Sequence, residues 1–580
     1  MKINKLQILL FVISAILSFS SVAQQNENTE TFLGIGSGNR KIAKIQKTPI
    51  FPIHTDSVTI LDDVKYYLEP KRYMTNYSIE NIKPARLKIT ANGDKLYRGY
   101  LKAGAGTYLT PLLELNYASK RSRDESWGLN SRTNGSFSSI KEMGNTKFSD
   151  LNFGGYYQKF FMNYDLWSEV QYERNSYQFY GIDITDSLGI ESFKNSDTLF
   201  KQNYDLFDLH VKFNSRNTGR DTNKLRIKSW VDFHHLNSNY NLSENHFLLG
   251  AHSGWLILDE EFLGTFELDI NNVSSPDILE LDENNIIQPS NQNSNTSGIV
   301  RFRPHIYSRK NNLIFKAGIS LQANINENAK FYVFPDLEVS YSLFNNVFIP
   351  YGGWVGNVQR NTFNDIRLEN PFISEDATLQ NTVQKSNIFV GVRGSLSSKF
   401  TFNLSSSFKS LDSMYFFVPD TTSSYGNKFQ MMYDNLSQTS FLAELTYQEL
   451  EKLKISAKGE YFIYSPSNFS RAWQKPEFIL TLSSILDLSE KIVLKSDFYL
   501  VGKREVFSYS EPESIYEQED DKFIYSLPTF VDMNISAEYR YNKKVSAFIQ
   551  FNNFTAKKYQ YWQNFPVQSI NILGGVTISF

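Results

Sequence analysis

Ile570-Asn-Ile-Leu-Gly-Gly-Val-Thr-Ile-Ser-Phe580 closes the sequence, and its alternation decides the fold. Val576, Ile578 and Phe580 fall on one face of a strand, and Gly575, Thr577 and Ser579 fall on the other. A last strand that is apolar outward, small or polar inward and aromatic at its tip suits the wall of an outer-membrane barrel. Such a wall places function in transport or surface binding across that membrane.

The same period runs through the preceding chain. Val531, Met533, Ile535, Ala537, Tyr539 and Tyr541 alternate with Asp532, Asn534, Ser536, Glu538, Arg540 and Asn542. After Lys543-Lys544, Val545, Ala547, Ile549 and Phe551 resume the pattern. Phe315, Ala317, Ile319, Leu321, Ala323 and Ile325 repeat it, as do Leu453, Ile455, Ala457, Tyr461 and Ile463. These runs read as strands with one apolar face, and no sustained period of 3.6 competes with them. A soluble sandwich would have to bury Glu538, Arg540, Lys458 and Arg303 on its inner face. A wet lumen accepts them. Stretches 163–181 and 224–240 read as tall strands. Aromatics at 156–157, 160–161 and 177–180 read as interfacial girdles.

Composition fits export. The 580 residues contain no Cys, which excludes disulfides, thiolate zinc sites and thiol nucleophiles. Lys and Arg number 59 against 61 Asp and Glu, so nothing points to nucleic acid. Lys2 and Lys5, an apolar stretch over 6–19 and Ser21-Val22-Ala23 predict a secretory signal peptide, residues 1–23, cleaved near Ala23. The expected address is the outer membrane of a Gram-negative bacterium, with membrane lipid and lipopolysaccharide as neighbours. Residues 24–96 are expected to be a periplasmic segment, partly disordered or a reduced plug, and 97–580 the barrel.

Connections alternate in length. Short turns are expected at 162–163, 259–260, 310–312, 345–346, 397–399, 488–491 and 542–544. Longer segments fall at 183–202, 274–297, 364–385, 419–428, 465–475 and 508–526. Segment 215–224 is long among the short ones, and 327–329 is short among the long ones. Short turns belong to the periplasm and long loops to the outside. Counting gives 21 strands, and an even number is required when both ends are periplasmic. Splitting the first strand near Gly106 gives 22, with 20 the next choice. The predicted fold is all-β, a transmembrane antiparallel outer-membrane barrel.

Chemical motifs are scarce. Asp232-Phe-His-His235 places Asp232 and His234 on one face and His235 on the other, too few convergent ligands for zinc. There is no Walker loop, dinucleotide fingerprint or nucleophile elbow. No cofactor, resident metal or enzymatic activity is expected. Two features suggest binding. Arg301, Arg303 and His305 alternate inward against Val300, Phe302 and Ile306, and with Glu538 and Arg540 they are the candidate lumen residues for a solute. They equally suit pairing with acids on neighbouring strands. Glu511, Glu513, Glu517, Glu519, Asp520 and Asp521 crowd one long loop, where carboxylates suit a divalent cation or simply solvent.

The barrel stretches Tyr100-Leu-Lys-Ala-Gly-Ala-Gly-Thr-Tyr-Leu-Thr-Pro111, Lys120-Arg-Ser-Arg-Asp124 and Tyr172-Glu-Arg-Asn175 with Tyr180-Gly181 resemble TonB-dependent-receptor barrels. The resemblance covers roughly 97–580. It implies a 22-strand receptor that moves a solute through its lumen, with a periplasmic energy-coupling partner. Members carry a plug of well over a hundred residues before the barrel, and segment 24–96 is shorter. Asp56-Ser-Val-Thr-Ile-Leu61 faintly resembles the energy-coupling box. The shortfall leaves room for a passive or partner-gated porin, a plugging protein, or a scaffold for surface-protein secretion.

Overall fold

The computed structural model describes residues 97–580, apart from 121, 142, 182–199, 216–225, 258–259, 277–278, 282–286, 290–291, 326–328, 421–423, 425, 451, 490, 510–511, 513–515 and 520–521. The signal-peptide, N-terminal-segment and coupling-box expectations lie outside these residues. So do the bulk of segment 215–224 and part of 327–329.

Twenty-two strands form one antiparallel sheet in sequence order. The last, Asn571–Ser579, pairs with the first, Gly99–Gly106, from Tyr100↔Ser579 to Gly106↔Leu573. The sheet is therefore closed, which removes the exposed edge a sandwich would keep. Phe580 completes the seam: its carbonyl accepts from the amides of Arg98 and Gly99, and its amide donates to the Gly99 carbonyl. The first hairpin turns at Thr107–Leu109, as the parity of the count requires.

Alternation sets inside and outside. Val576, Ile578 and Phe580 are 46%, 37% and 52% exposed, although apolar. That is the signature of a lipid-facing surface. Ser546 and Thr577 on the opposite face are buried and hydrogen-bonded to each other. Ile319 faces out, while Lys316 on the other face bridges Asp336 at 2.8 Å and Glu338 at 3.1 Å.

Both ends of the described barrel lie at the end with the shorter turns. Phe161 and Tyr164 stack there at 4.3 Å, and Tyr157, Phe344 and Tyr541 are exposed, which is how an interfacial girdle is built. Two expectations need correction. Tyr177, Phe179 and Tyr180 are not a girdle: Phe179 is fully buried, and Tyr177 and Tyr180 pack into an apolar cluster at the opposite mouth. The tall strands are also shorter than read, Tyr164–Gln178 and Arg226–Ser238. The longest crossing strand is Phe429–Glu449, 21 residues.

Several long connections carry structure of their own. A helix, Phe363–Glu369, sits between the thirteenth strand, Ile349–Gln359, and the fourteenth, Thr382–Ser397. Strands Arg504–Ser508, Glu517–Glu519 and Lys522–Leu527 make a small sheet in segment 508–526 and just before it. Residues 553–570, missing from the long loops expected, hold a hairpin of Gln560–Trp562 and Phe565–Pro566.

Candidate functional site at the outer mouth

The segment between the thirteenth and fourteenth strands folds inward. Its two ends are stapled, since the Asn361 amide donates to the Gln380 carbonyl at 2.7 Å and to Thr382 Oγ1 at 2.9 Å. Thr362 caps the helix by accepting from the Asp365 amide at 3.0 Å, a local choice written in Thr-x-x-Asp. The fully buried Glu244, from the eighth strand, Ser243–Ile257, accepts from the amides of Phe363 and Asn364 at 2.8 and 2.9 Å. An orphaned helix terminus thus meets a carboxylate from the wall. Arg360 fixes the base of the segment, donating from Nε to Asp269 at 2.9 Å.

The helix then lays Phe363 and Ile366 into a cluster drawn from well-separated parts of the barrel. Tyr204 and Leu206 come from the sixth strand, Leu236 from the seventh, and Leu242 from the turn that leads to the eighth. Phe417, Phe429 and Met431 come from the fifteenth and sixteenth strands, Phe400–Pro419 and Phe429–Glu449. With 22 strands about 4.8 Å apart and tilted ~40°, these walls stand roughly 40 Å apart across the barrel. Only inward-folded loops bridge such a gap. Phe372 and Phe565 stack at 3.5 Å in the middle, and Phe565 meets Tyr180 edge-on at 5.0 Å.

Polar contacts fasten this lid. Lys428 Nζ lies 2.8 Å from Glu375, both side chains almost wholly buried, and Gln202 donates to the same carboxylate at 2.6 Å. The Lys428 ammonium also sits 4.8 Å from the rings of both Phe179 and Tyr240. The Asn427 side chain donates to the Phe179 carbonyl at 2.8 Å. Arg367 stacks 5.1 Å over Tyr204 and donates to Asn175 at 2.9 Å. Lys475 reaches Glu369 at 2.9 Å. The hairpin hangs from Arg504, which donates to the carbonyls of Gln560 and Tyr561 and stacks on Phe530 at 5.1 Å. Burial pushes the Arg504 guanidinium down to about 10, a cost set against the two carbonyls and the rings of Phe530 and Tyr561 that hold it.

The lumen candidates face inward, but neighbours claim them. Arg301 lies 3.1 Å from Asp269 and donates to the Val358 carbonyl, and Arg303 pairs with Glu267. His305 is buried beside them, its Nδ1 3.4 Å from the Arg303 carbonyl. Glu538 accepts from Ser546, and Arg540 bridges Asp487 at 3.0 Å. Arg301–His305 stand on the tenth strand and Glu538–Arg540 on the twentieth, so the two sets do not form one site. Asp232 meets His210 at 2.7 Å, and His234 meets Glu244 at 3.4 Å. No group of three ligands suited to a metal ion occurs among the described residues. Of the acidic loop, Glu517 and Glu519 are exposed, and Glu517 lies 3.3 Å from Arg471. Glu511, Glu513, Asp520 and Asp521 lie outside the described residues. Glu244, Arg360, Glu375, Lys428 and Arg504 were not among the residues expected from the sequence. The Thr-x-x-Asp cap signals the helix, but nothing local signals the ion pair.

No family model and no curated protein sequence matches the chain. Solved structures do. The pyoverdine outer membrane receptor FpvA of Pseudomonas aeruginosa, bound to pyoverdine, is 12% identical, with a TM-score of 0.61 over 83% of this chain and 78% of that one. The ferric-catecholate import receptor Fiu of E. coli K12 is 8% identical, with a TM-score of 0.61 over 84% and 82%. The copper transporter OprC is 11% identical, with a TM-score of 0.58 over 84% and 81%. At these identities the likeness is one of fold. The chain has the closed 22-strand barrel of TonB-dependent outer-membrane receptors, and the resemblance carried by the sequence extends to that architecture.

Proposed function

We propose that the protein is an outer-membrane receptor of the transport kind, taking a solute from outside the cell through its lumen. The observation that carries this is the bridged mouth. A diffusion pore of 22 strands keeps an aqueous path, whereas here an apolar cluster joins distant walls over the lumen. A covered mouth suits capture followed by regulated passage. The fold neighbours support the direction: one is a receptor bound to pyoverdine and one is named as a copper transporter. In this reading residues 1–23 are removed near Ala23. Residues 24–96 then face the periplasm, where a coupling or plugging protein has access to them. The paired Arg301, Arg303, Glu538 and Arg540 line the solute's route as fixed charge of both signs.

The test is single-channel recording of the full mature chain in a planar bilayer. A correctly inserted but silent barrel is expected. A steady, large, ohmic conductance would replace this reading with a passive porin. Stable co-purification with surface proteins in the absence of any solute uptake would replace it with an assembly scaffold.

A further inference from the structure

We infer that residues 362–379 are a hinged gate and that the buried Glu375–Lys428 pair is its latch. This rests on the outer-membrane reading above but not on any particular solute. The hinge is the staple of Asn361 to Gln380 and Thr382, which holds the ends of the segment together at the rim. Everything between reaches away from that rim by side-chain and backbone contacts alone.

Glu375 joins three parts of the molecule. It belongs to the gate, it receives Lys428 from the connection between the fifteenth and sixteenth strands, and it receives Gln202 from the sixth strand. Lys428 in turn lies against Phe179 and Tyr240, from two connections on the far wall. One ion pair therefore ties the gate to both sides of the mouth. Its energetics suit a latch rather than a permanent seal. A buried pair is often no more stable than apolar residues of the same volume, yet losing one partner strands a charge. The gate also buries Arg367 Nη2, Asn370 Nδ2 and Ser374 Oγ without a hydrogen-bond partner. Opening hydrates all five groups at once, which offsets part of what the closed state gains from its apolar contacts. A seal under no demand to open would be filled by apolar side chains, as the core around Phe363 is.

The chain has no cysteine, so one introduced thiol reports on the gate alone. Ser374 is fully buried, and Ser374→Cys is close to isosteric. In the full-length protein, labelling by a membrane-impermeant maleimide added from outside reads how often the gate opens. It works whether or not residues 24–96 seal the lumen. Glu375→Leu and Lys428→Met, each alone, are expected to speed labelling about a hundred-fold or more, because each leaves a buried charge unpaired. The double variant, apolar at both positions, is expected to label within about tenfold of the parent. Resistance of the barrel to unfolding in unheated gel samples separates gate opening from loss of fold. Single variants that label at the parental rate overturn the latch. So does a double variant whose effect is the sum of the two. A parent thiol that labels as fast as one placed at exposed Leu368 overturns the closed gate itself.

Discussion

Phe565→Ala should loosen the lid while leaving the barrel wall intact. Phe565 is 2% exposed, stacks on Phe372 at 3.5 Å and contacts Tyr180 and Phe429 at 5.0 and 6.0 Å. Truncating a buried Phe costs about 3–5 kcal/mol, through lost transfer energy and the cavity left behind. None of the 22 wall strands contains residue 565, so the cost falls on the closed lid. At 1.4 kcal/mol per decade, even about 3 kcal/mol raises the open population by roughly 150-fold. Hydrogen exchange is the suitable assay, because lid amides have defined partners. Asn370 N–H donates to Ile366 O, Ser374 N–H to Phe429 O and Phe429 N–H to Phe372 O. Their exchange should accelerate by about two decades, while amides of the seam between Gly99–Gly106 and Asn571–Ser579 keep their rates. Phe554→Ala is the control: that side chain is 48% exposed in the same connection and should change nothing beyond ~0.5 kcal/mol. Unchanged exchange at Asn370, Ser374 and Phe429 in Phe565→Ala would refute the bridging cluster. Equal acceleration in the seam would show that lid and wall unfold as one unit.

Three further outcomes are expected. Val576→Lys, on the lipid face, should destabilise the folded barrel by about 2–4 kcal/mol at most, in urea titration in vesicles, while Asn116→Lys on the wet face stays near zero. Gly575→Val should lower the yield of heat-modifiable folded protein, because a Cβ there would lie 2.1 Å from the Ala103 carbonyl oxygen across the closing seam. Burial raises Tyr180 and Tyr240 well above the ordinary phenol range, with Glu375 adding to the shift at Tyr240. Both should resist ionisation in a phenolate absorbance titration. An acid whose folded pKa is raised holds its proton while the open form loses it. The lid is therefore expected to weaken as pH climbs above the ordinary tyrosine value of about 10, and these two tyrosines contribute no pH dependence below it. Flat labelling of Ser374→Cys between pH 9 and pH 11 would refute that linkage.

The wall was legible in the sequence because every strand repeats one local decision. A residue faces lipid or lumen by parity alone, so Val576, Ile578 and Phe580 could be assigned outward from eleven residues. Parity of the strand count followed from closure, and it correctly split Gly99–Gly106 from Thr110–Ala118. The inward direction of Arg301 and Arg303 was equally local, but their partners Asp269 and Glu267 stand on another strand, and register alone brings them together. The mouth was not legible at all. Tyr177, Phe179 and Tyr180 look like a girdle because aromatics at a strand end have the same composition in either role. Only the arrival of Phe372, Phe565 and Lys428 makes them a core. Glu375 and Lys428 are 53 residues apart in segments without period, and Gln202 is 173 residues from Glu375. Alternation is a property of neighbouring residues and survives in one dimension. The covering of the mouth depends on loops meeting across the barrel, and only the closed cylinder determines which of them can reach.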